Sequence, residues 1–312
     1  MKGLELAESY YNEFGKNMLE EFPDVKDKLA VGLIGSGSEC FGFDDDISTD
    51  HDFEAGFMIF LPGEDVVSRR DAFLLERAYY KLPKEYRGFT RGFLSPVGGN
   101  RKGVISTAEF FTEKTGCPDG NLTVREWLSL PENYLAEATN GKIFCDNYGE
   151  VSAIRKRLAY YPEDVRLKKL AGNIITAAQS GQYNYHRCYK HGEQSAAQLA
   201  VFEFVKSAAA IKFLLEKRYM PFYKWSFKAL RTLPDGEELE KSLDFLTTTP
   251  NDETFYKKKF EVIENISAKL IEEIKKQNLS DSLSGNLEEY AYKVNGKISD
   301  GNIRNMNIFA GV

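Results

Sequence analysis

The chain has 312 residues, 42% of them hydrophobic and 28% charged, which is enough for two globular domains with cores of their own. Its 41 basic and 47 acidic residues give a net charge of −6, which disfavours a protein that lives on a nucleic-acid backbone. No run of eighteen apolar residues occurs, and Met1-Lys2-Gly3-Leu4-Glu5 turns acidic too soon for a secretory leader, so the expectation is a cytoplasmic protein with no membrane partner.

Residues 4–21 read as a helix, with Leu4, Ala7, Tyr11, Phe14, Met18 and Phe22 at near-helical spacing and Pro23 as the break. Ala30-Val31-Gly32-Leu33-Ile34 is a short buried strand, and a helix is expected from Ser38 onward. His51 to Leu61 reads as a second strand ended by Pro62-Gly63, and Asp65 to Lys81 as a helix with Val66, Ala72, Leu75 and Tyr79 on one side. Residues 83–103, rich in Gly, Pro and Arg, read as a loop or lid. Gly103 to Phe111 reads as a strand, Trp127 to Ala138 as one or two short helices, and Gly141 to Asp146 as an edge strand. From Val151 the pattern is helical. Leu199, Phe202, Val205, Ala209 and Phe213 form one expected core stripe, and Phe260, Ile263, Ile266, Leu270 and Ile274 another. Residues 295–312 read as an irregular tail. The class is α+β: a first domain over 1–150 with a mixed sheet, then an α-helical domain over 151–312.

Chemistry concentrates in residues 35–52. The turn Gly35-Ser36-Gly37-Ser38 follows the first strand, and glycine lets a backbone turn sharply and approach a phosphate. Backbone N–H groups and serine hydroxyls at the start of the next helix suit anionic oxygens. In an extended strand Asp50 and Asp52 project to the same side and His51 to the other. Two parallel aspartates suit magnesium, which takes one or two carboxylates plus phosphate oxygens. Asp44, Asp45 and Asp46 are most simply a turn or a helix cap before that strand.

This order resembles the nucleotidyltransferase superfamily with the polymerase-β-like fold, in which an apolar strand, Gly-Ser, some ten residues and Asp-x-Asp follow one another. Gly37-Ser38 and Asp50-His51-Asp52 match, with Phe43-Asp44-Asp45-Asp46 lengthening the spacing slightly. The wider wording around residues 35–52 is similar to a bacterial family of unknown function, DUF4037. That similarity continues through Trp127-Leu128, Leu130-Pro131-Glu132, Gly141-Lys142-Ile143-Phe144, Tyr161-Pro162-Glu163-Asp164 and Pro221-Phe222-Tyr223-Lys224-Trp225, roughly residues 30–235. The resemblance implies a third carboxylate on a later strand. Glu109 is the candidate, with Glu113 and Asp119 as fallbacks; the plain alternative is a glutamate on a solvated strand edge.

A second polar cluster runs from Tyr183 to Glu193. His186 and His191 miss the i,i+4 spacing of a helical metal pair. Arg187 and Lys190 suit phosphates across an interdomain cleft, the alternative being a helix edge with satisfied polar groups. Lys224, flanked by aromatics, suits a triphosphate, or Tyr223 and Trp225 simply wedge two helices. Arg155-Lys156-Arg157 and Lys257-Lys258-Lys259 read as solvated helix faces, and the four cysteines, widely spaced, as free, mostly buried thiols. The expected activity is magnesium-dependent transfer of a nucleoside monophosphate from a nucleoside triphosphate, ATP first, to a hydroxyl on a small molecule. The alternatives are a nucleotide-binding module without turnover, or a transferase acting on a protein or a tRNA end.

Overall fold

The apolar runs Ala30–Leu33 (β1) and Met58–Leu61 (β2) pair antiparallel, Gly32 opposite Met58 and Ala30 opposite Phe60. In the computed structural model, which describes residues 1–45, 54–91 and 102–312, they are the centre of a mixed four-stranded sheet. Its order is β5-β2-β1-β6, with β5 (Gly103–Ser106) parallel to β2 and β6 (Lys142–Asp146) antiparallel to β1 at the edge. A two-stranded hairpin, β3 (Glu85–Tyr86) and β4 (Phe89–Thr90), stands apart from it, within the stretch expected to be all loop. Helix accounts for about 61%, so the class is α+β.

The described residues fall into two compact units, Met1–Asn121 with Asn133–Ala159, and Leu122–Glu132 with Tyr160–Val312. In the first, α1 (Gly3–Tyr10), a π-helical turn (Tyr11–Gly15) and α2 (Lys16–Glu20) follow without a break. Around the sheet lie α3 (Ser38–Phe41), α4 (Arg69–Lys81), α5 (Thr107–Thr115), most of α7 (Glu132–Thr139) and α8 (Glu150–Arg157); α6 (Val124–Ser129) belongs to the second unit.

Aromatic rings build the first core. Phe57 meets Tyr10, Tyr11 and Tyr79 with centroids 6.0, 5.3 and 5.1 Å away. The Tyr79 hydroxyl is bonded at both ends to one residue: it accepts from Phe57 N (3.1 Å) and donates to Phe57 O (2.9 Å). It thereby satisfies the Phe57 N–H just ahead of β2 and shares the Phe57 carbonyl with Gly103 N (2.9 Å), and burial holds its pKa above the ordinary phenol range. Arg91 lies over the Tyr79 ring at 4.6 Å and donates to the Tyr79 carbonyl at 3.1 Å.

The second unit is built on α9 (Glu163–Ala177), buried along most of its length. It continues through a π-helical segment (Ala178–Tyr185) into α10 (His186–Lys190), then α11 (Gln194–Leu215), α12 (Tyr223–Leu230), α13 (Gly236–Thr248), α14 (Glu253–Lys276), α15 (Leu287–Gly296) and the short α16 (Gly301–Arg304). The tail is fastened more firmly than its sequence predicts. Buried Lys168 donates to Asn295 Oδ1 (2.9 Å), Arg304 O (3.3 Å) and Met306 O (2.7 Å), and Lys169 to Leu128 O (3.1 Å) and Gly311 O (2.9 Å).

Two expectations are corrected here. Leu199 and Phe202 are 68% and 43% exposed, while Val205, Ala209 and Phe213 are buried. Steps of three residues rotate the direction backward by about 60° each, so the drawn stripe began on the solvent face and ended in the core. Lys259 is not solvated but fully buried. Tyr79→Phe should leave the buried Phe57 N–H unsatisfied, the Phe57 carbonyl keeping its bond from Gly103 N, and cost about 1–3 kcal/mol in urea unfolding; a loss under a few tenths would show that the hydroxyl's hydrogen bonds to Phe57 contribute nothing.

Candidate functional site

β1 runs directly into the Gly35–Ser38 turn. Gly35 and Gly37 have φ of +103° and +121°, a region that side-chain-bearing residues rarely adopt. Asn140 brackets Gly35 from both sides: Gly35 N donates to Asn140 Oδ1 and Asn140 Nδ2 donates to Gly35 O, each at 2.8 Å. Gly141, at φ +61°, allows this approach, because a Cβ there would strike the Leu33 carbonyl oxygen. Its own N–H donates to Cys40 O at 2.9 Å, which ties the same loop to α3.

The next residue is held by charge. Ser36 Oγ donates to Glu137 Oε2 (2.8 Å) and accepts from Lys114 Nζ (3.1 Å). Lys114 is buried and paired with Glu137 (2.8 Å) and Glu113 (3.0 Å). Burial alone would lower its pKa, but the hydrogen bonds to the two carboxylates outweigh that and hold it above the usual lysine range. The Phe110 ring closes the other side; a Cβ on Gly35 would sit 3.3 Å from it. Glu39, in the first turn of α3, is also buried and folds its carboxylate back onto Gly37. Ser38 is the first residue of α3 and half-buried.

Register decides what surrounds the turn. Gly32 pairs with Met58 and Met58 with Gly103, so the end of β1 and the starts of β2 and β5 lie at one end of the sheet. Lys102 Nζ donates to Glu54 O at 2.6 Å, joining the segments that lead into β5 and β2. Asp50, His51 and Asp52 lie outside the described residues. Asp44 takes the plain role expected of that acidic run: its Oδ2 accepts from Gly3 N at 2.8 Å, capping α1, and Lys2 Nζ bonds its carbonyl.

Glu109 stands elsewhere than expected. β5 stops at Ser106, whose hydroxyl accepts the Glu109 N–H at 3.3 Å and starts α5. Glu109 is therefore exposed on a first helical turn instead of alternating along a strand. The signal was legible: Ser106-Thr107-Ala108-Glu109 spells the S-x-x-E of a helix start. The fallbacks are committed too, Glu113 to Lys114, and Asp119 to the Asn121 amides and the Cys117 thiol, which hold its pKa below the usual range. Lys114, Glu137 and Asn140, which the sequence did not single out, are what the fold brings to the turn.

Gly37 and Ser38 belong to the first unit; Arg187, Lys190 and Lys224 belong to the second, and all three are exposed. Arg187 lies over the Tyr183 ring at 5.0 Å and Lys224 over Trp225 at 4.9 Å. His186 Nδ1 is hydrogen-bonded to the Tyr256 hydroxyl, and burial, with Lys190 nearby, holds the imidazole below its usual range. Among the described residues no three His, Cys, Asp or Glu side chains gather as metal ligands.

A family model described as Domain of unknown function (DUF4037) matches residues 127–226. No curated protein and no solved structure matches the chain. The match starts at Trp127, within α6, and ends within α12, so it includes Asn140, Gly141 and Glu137 but not the Gly-Ser turn they hold. Over residues 127–226 the chain thus carries a match to the DUF4037 family, whose description assigns no activity.

Proposed function

We propose that the chain is a magnesium-dependent nucleotidyltransferase whose first unit has the polymerase-β-like fold. It would move a nucleoside monophosphate from a nucleoside triphosphate, ATP first, to a hydroxyl of a small molecule, the acceptor oxygen bonding to the α-phosphorus as the α–β phosphoanhydride breaks and pyrophosphate leaves. One observation supports this most: the Gly35–Ser38 turn leaves β1 at the end of the sheet where β2 begins, and β2 begins six residues after Asp52.

The donor set fits magnesium by type. Asp50 and Asp52 offer hard carboxylate oxygens, and the glycines at positive φ leave backbone without a Cβ for phosphate oxygens to approach. Magnesium held by the two aspartates would neutralise phosphate charge. Gly37 and Ser38 would bind the β- and γ-phosphates through backbone N–H and hydroxyl. Asn140 and Lys114 hold the turn ready, so little ordering is left for the nucleotide to drive.

A second reading, a nucleotide-binding module without turnover, is favoured by the exposed helical position of Glu109. A protein hydroxyl or a tRNA end is the alternative acceptor; the acidic balance of the chain disfavours the tRNA end, and fold-level analogy alone favours a small molecule over a protein.

Incubation with α-labelled triphosphates and magnesium, against small metabolites, cell-extract proteins and tRNA in turn, tests the assignment. Label should enter one acceptor class, Asp50→Asn should abolish the transfer with the circular dichroism unchanged, and full activity in that variant would overturn the metal assignment. Binding without transfer to any class would decide for the module. Glu109→Gln should retain most activity, because an exposed helical carboxylate is not positioned as a base; a hundredfold loss in kcat would restore Glu109 to the site. Asn140→Ala removes two hydrogen bonds from Gly35 and should weaken triphosphate binding roughly tenfold or more by calorimetry, at about 1 kcal/mol each; unchanged affinity would separate the turn from nucleotide binding.

A further inference from the structure

Lys259 brings a buried charge to the second unit with no carboxylate hydrogen-bonded to it among the described residues. It is 0% exposed on α14, and its Nζ donates to two neutral oxygens, Asn251 Oδ1 at 2.9 Å and Gln198 Oε1 at 3.2 Å. The acid that acts on it is Asp252, an exposed residue whose carboxylate caps α14 by accepting from Thr254 N (3.0 Å) and Phe255 N (3.1 Å). Among the other buried lysines, Lys114 and Lys212 each meet two carboxylates and Lys168 spends three hydrogen bonds on three oxygens. Lys169 also donates to two neutral oxygens, but they are carbonyls of Leu128 and Gly311 whose chain it fastens, and the Glu132 carboxylate acts on it.

A second donor beside it is also unsatisfied. Asn251 Oδ1 accepts from both Lys259 and the Tyr185 hydroxyl (3.3 Å), which fixes which way the amide points. Its Nδ2 is then a buried donor with no acceptor. Lys259, with three N–H bonds and two acceptors, has one to spare. Tyr185 is the last residue of the π-helical segment, a rare geometry that recurs at functional sites. Gln198 and Asn251 are half-buried, so the group reaches the surface through them.

A buried unpaired donor is costly and a buried uncompensated charge more so. Water would serve the donors but leave the charge. We propose that Lys259 and Asn251 form an anion subsite that takes one oxygen of a phosphoryl or carboxylate group, with Gln198 and Tyr185 orienting the two donors. Burial pushes the Lys259 ammonium down to about 8, so the amine is mainly charged at neutral pH and a bound anion would move it back up.

The test is thermal unfolding of the full chain in inorganic phosphate or in acetate, at ionic strength matched with chloride; whichever anion acts identifies the source. Stability should climb with the logarithm of its concentration, by about 1.4 kcal/mol per tenfold rise above the dissociation constant. Lys259→Met should abolish that climb while equalling or exceeding the wild type without anion, since an uncompensated buried charge is gone. Asn251→Ala should weaken the response at least fivefold. An equal climb in Lys259→Met, or none in the wild type, would overturn the subsite. Should Lys259→Met not fold, nuclear magnetic resonance titration of the wild-type lysine Nζ signals decides: the Lys259 pKa rises with the anion, and an unmoved value refutes the proposal.

Discussion

The first unit depends on holding a two-glycine turn, at the end of β1, in a backbone conformation fixed by residues far along the chain. Gly35 and Gly37 occupy backbone conformations that cost most residues about 1 kcal/mol or more. Such a turn persists only where its surroundings over-determine it. Here Asn140 fastens Gly35 at both backbone groups, Gly141 brings Asn140 close enough to do so, and Ser36 is pinned between a lysine and a glutamate. A hundred residues of chain separate the turn from its clamp, so the local geometry is a property of the whole unit.

The two units handle buried cations differently, and the difference has chemical meaning. Lys114 is neutralised by carboxylates, so its charge is spent inside the protein and it acts as a brace. Lys168 and Lys169 are solvated by carbonyl oxygens and anchor the tail. Both arrangements explain why a charge is buried, because each holds a piece of chain in place. Lys259 holds only two amide side chains, and one of those is itself incompletely bonded. Structural duty alone therefore accounts for Lys114 and Lys168 more fully than for Lys259.

Much of the fold could be read from residue patterns because the signals were local. The strand Ala30–Leu33, the helix start at Ser38, the paired helices around Trp127 to Thr139 and the edge strand to Asp146 all follow from apolar runs and turn residues. Glu109 was misplaced because Gly103 to Phe111 supports two periods, and the capping pattern at Ser106 outweighs strand alternation. The clamp was not legible at all: nothing near Asn140 in sequence tells which backbone its amide will bracket. Lys259 looked like one of three surface lysines, since a charge run carries no mark of which member turns inward.

The electrostatics of the turn bear on the nucleotide reading itself. Glu39 folds a buried carboxylate onto Gly37, and Glu137 sits one hydrogen bond from Ser36. The cation bonded to Ser36, Lys114, is already matched by two acids. Two unit charges of the same sign 4 Å apart repel by about 4 kcal/mol at the effective dielectric near a protein surface. Backbone donors alone would struggle to hold a triphosphate against that field. Under the proposed function, polyphosphate would settle on this turn only with a divalent cation between it and the surrounding carboxylates, which would make Asp50 and Asp52 necessary to binding and not merely to the transfer step.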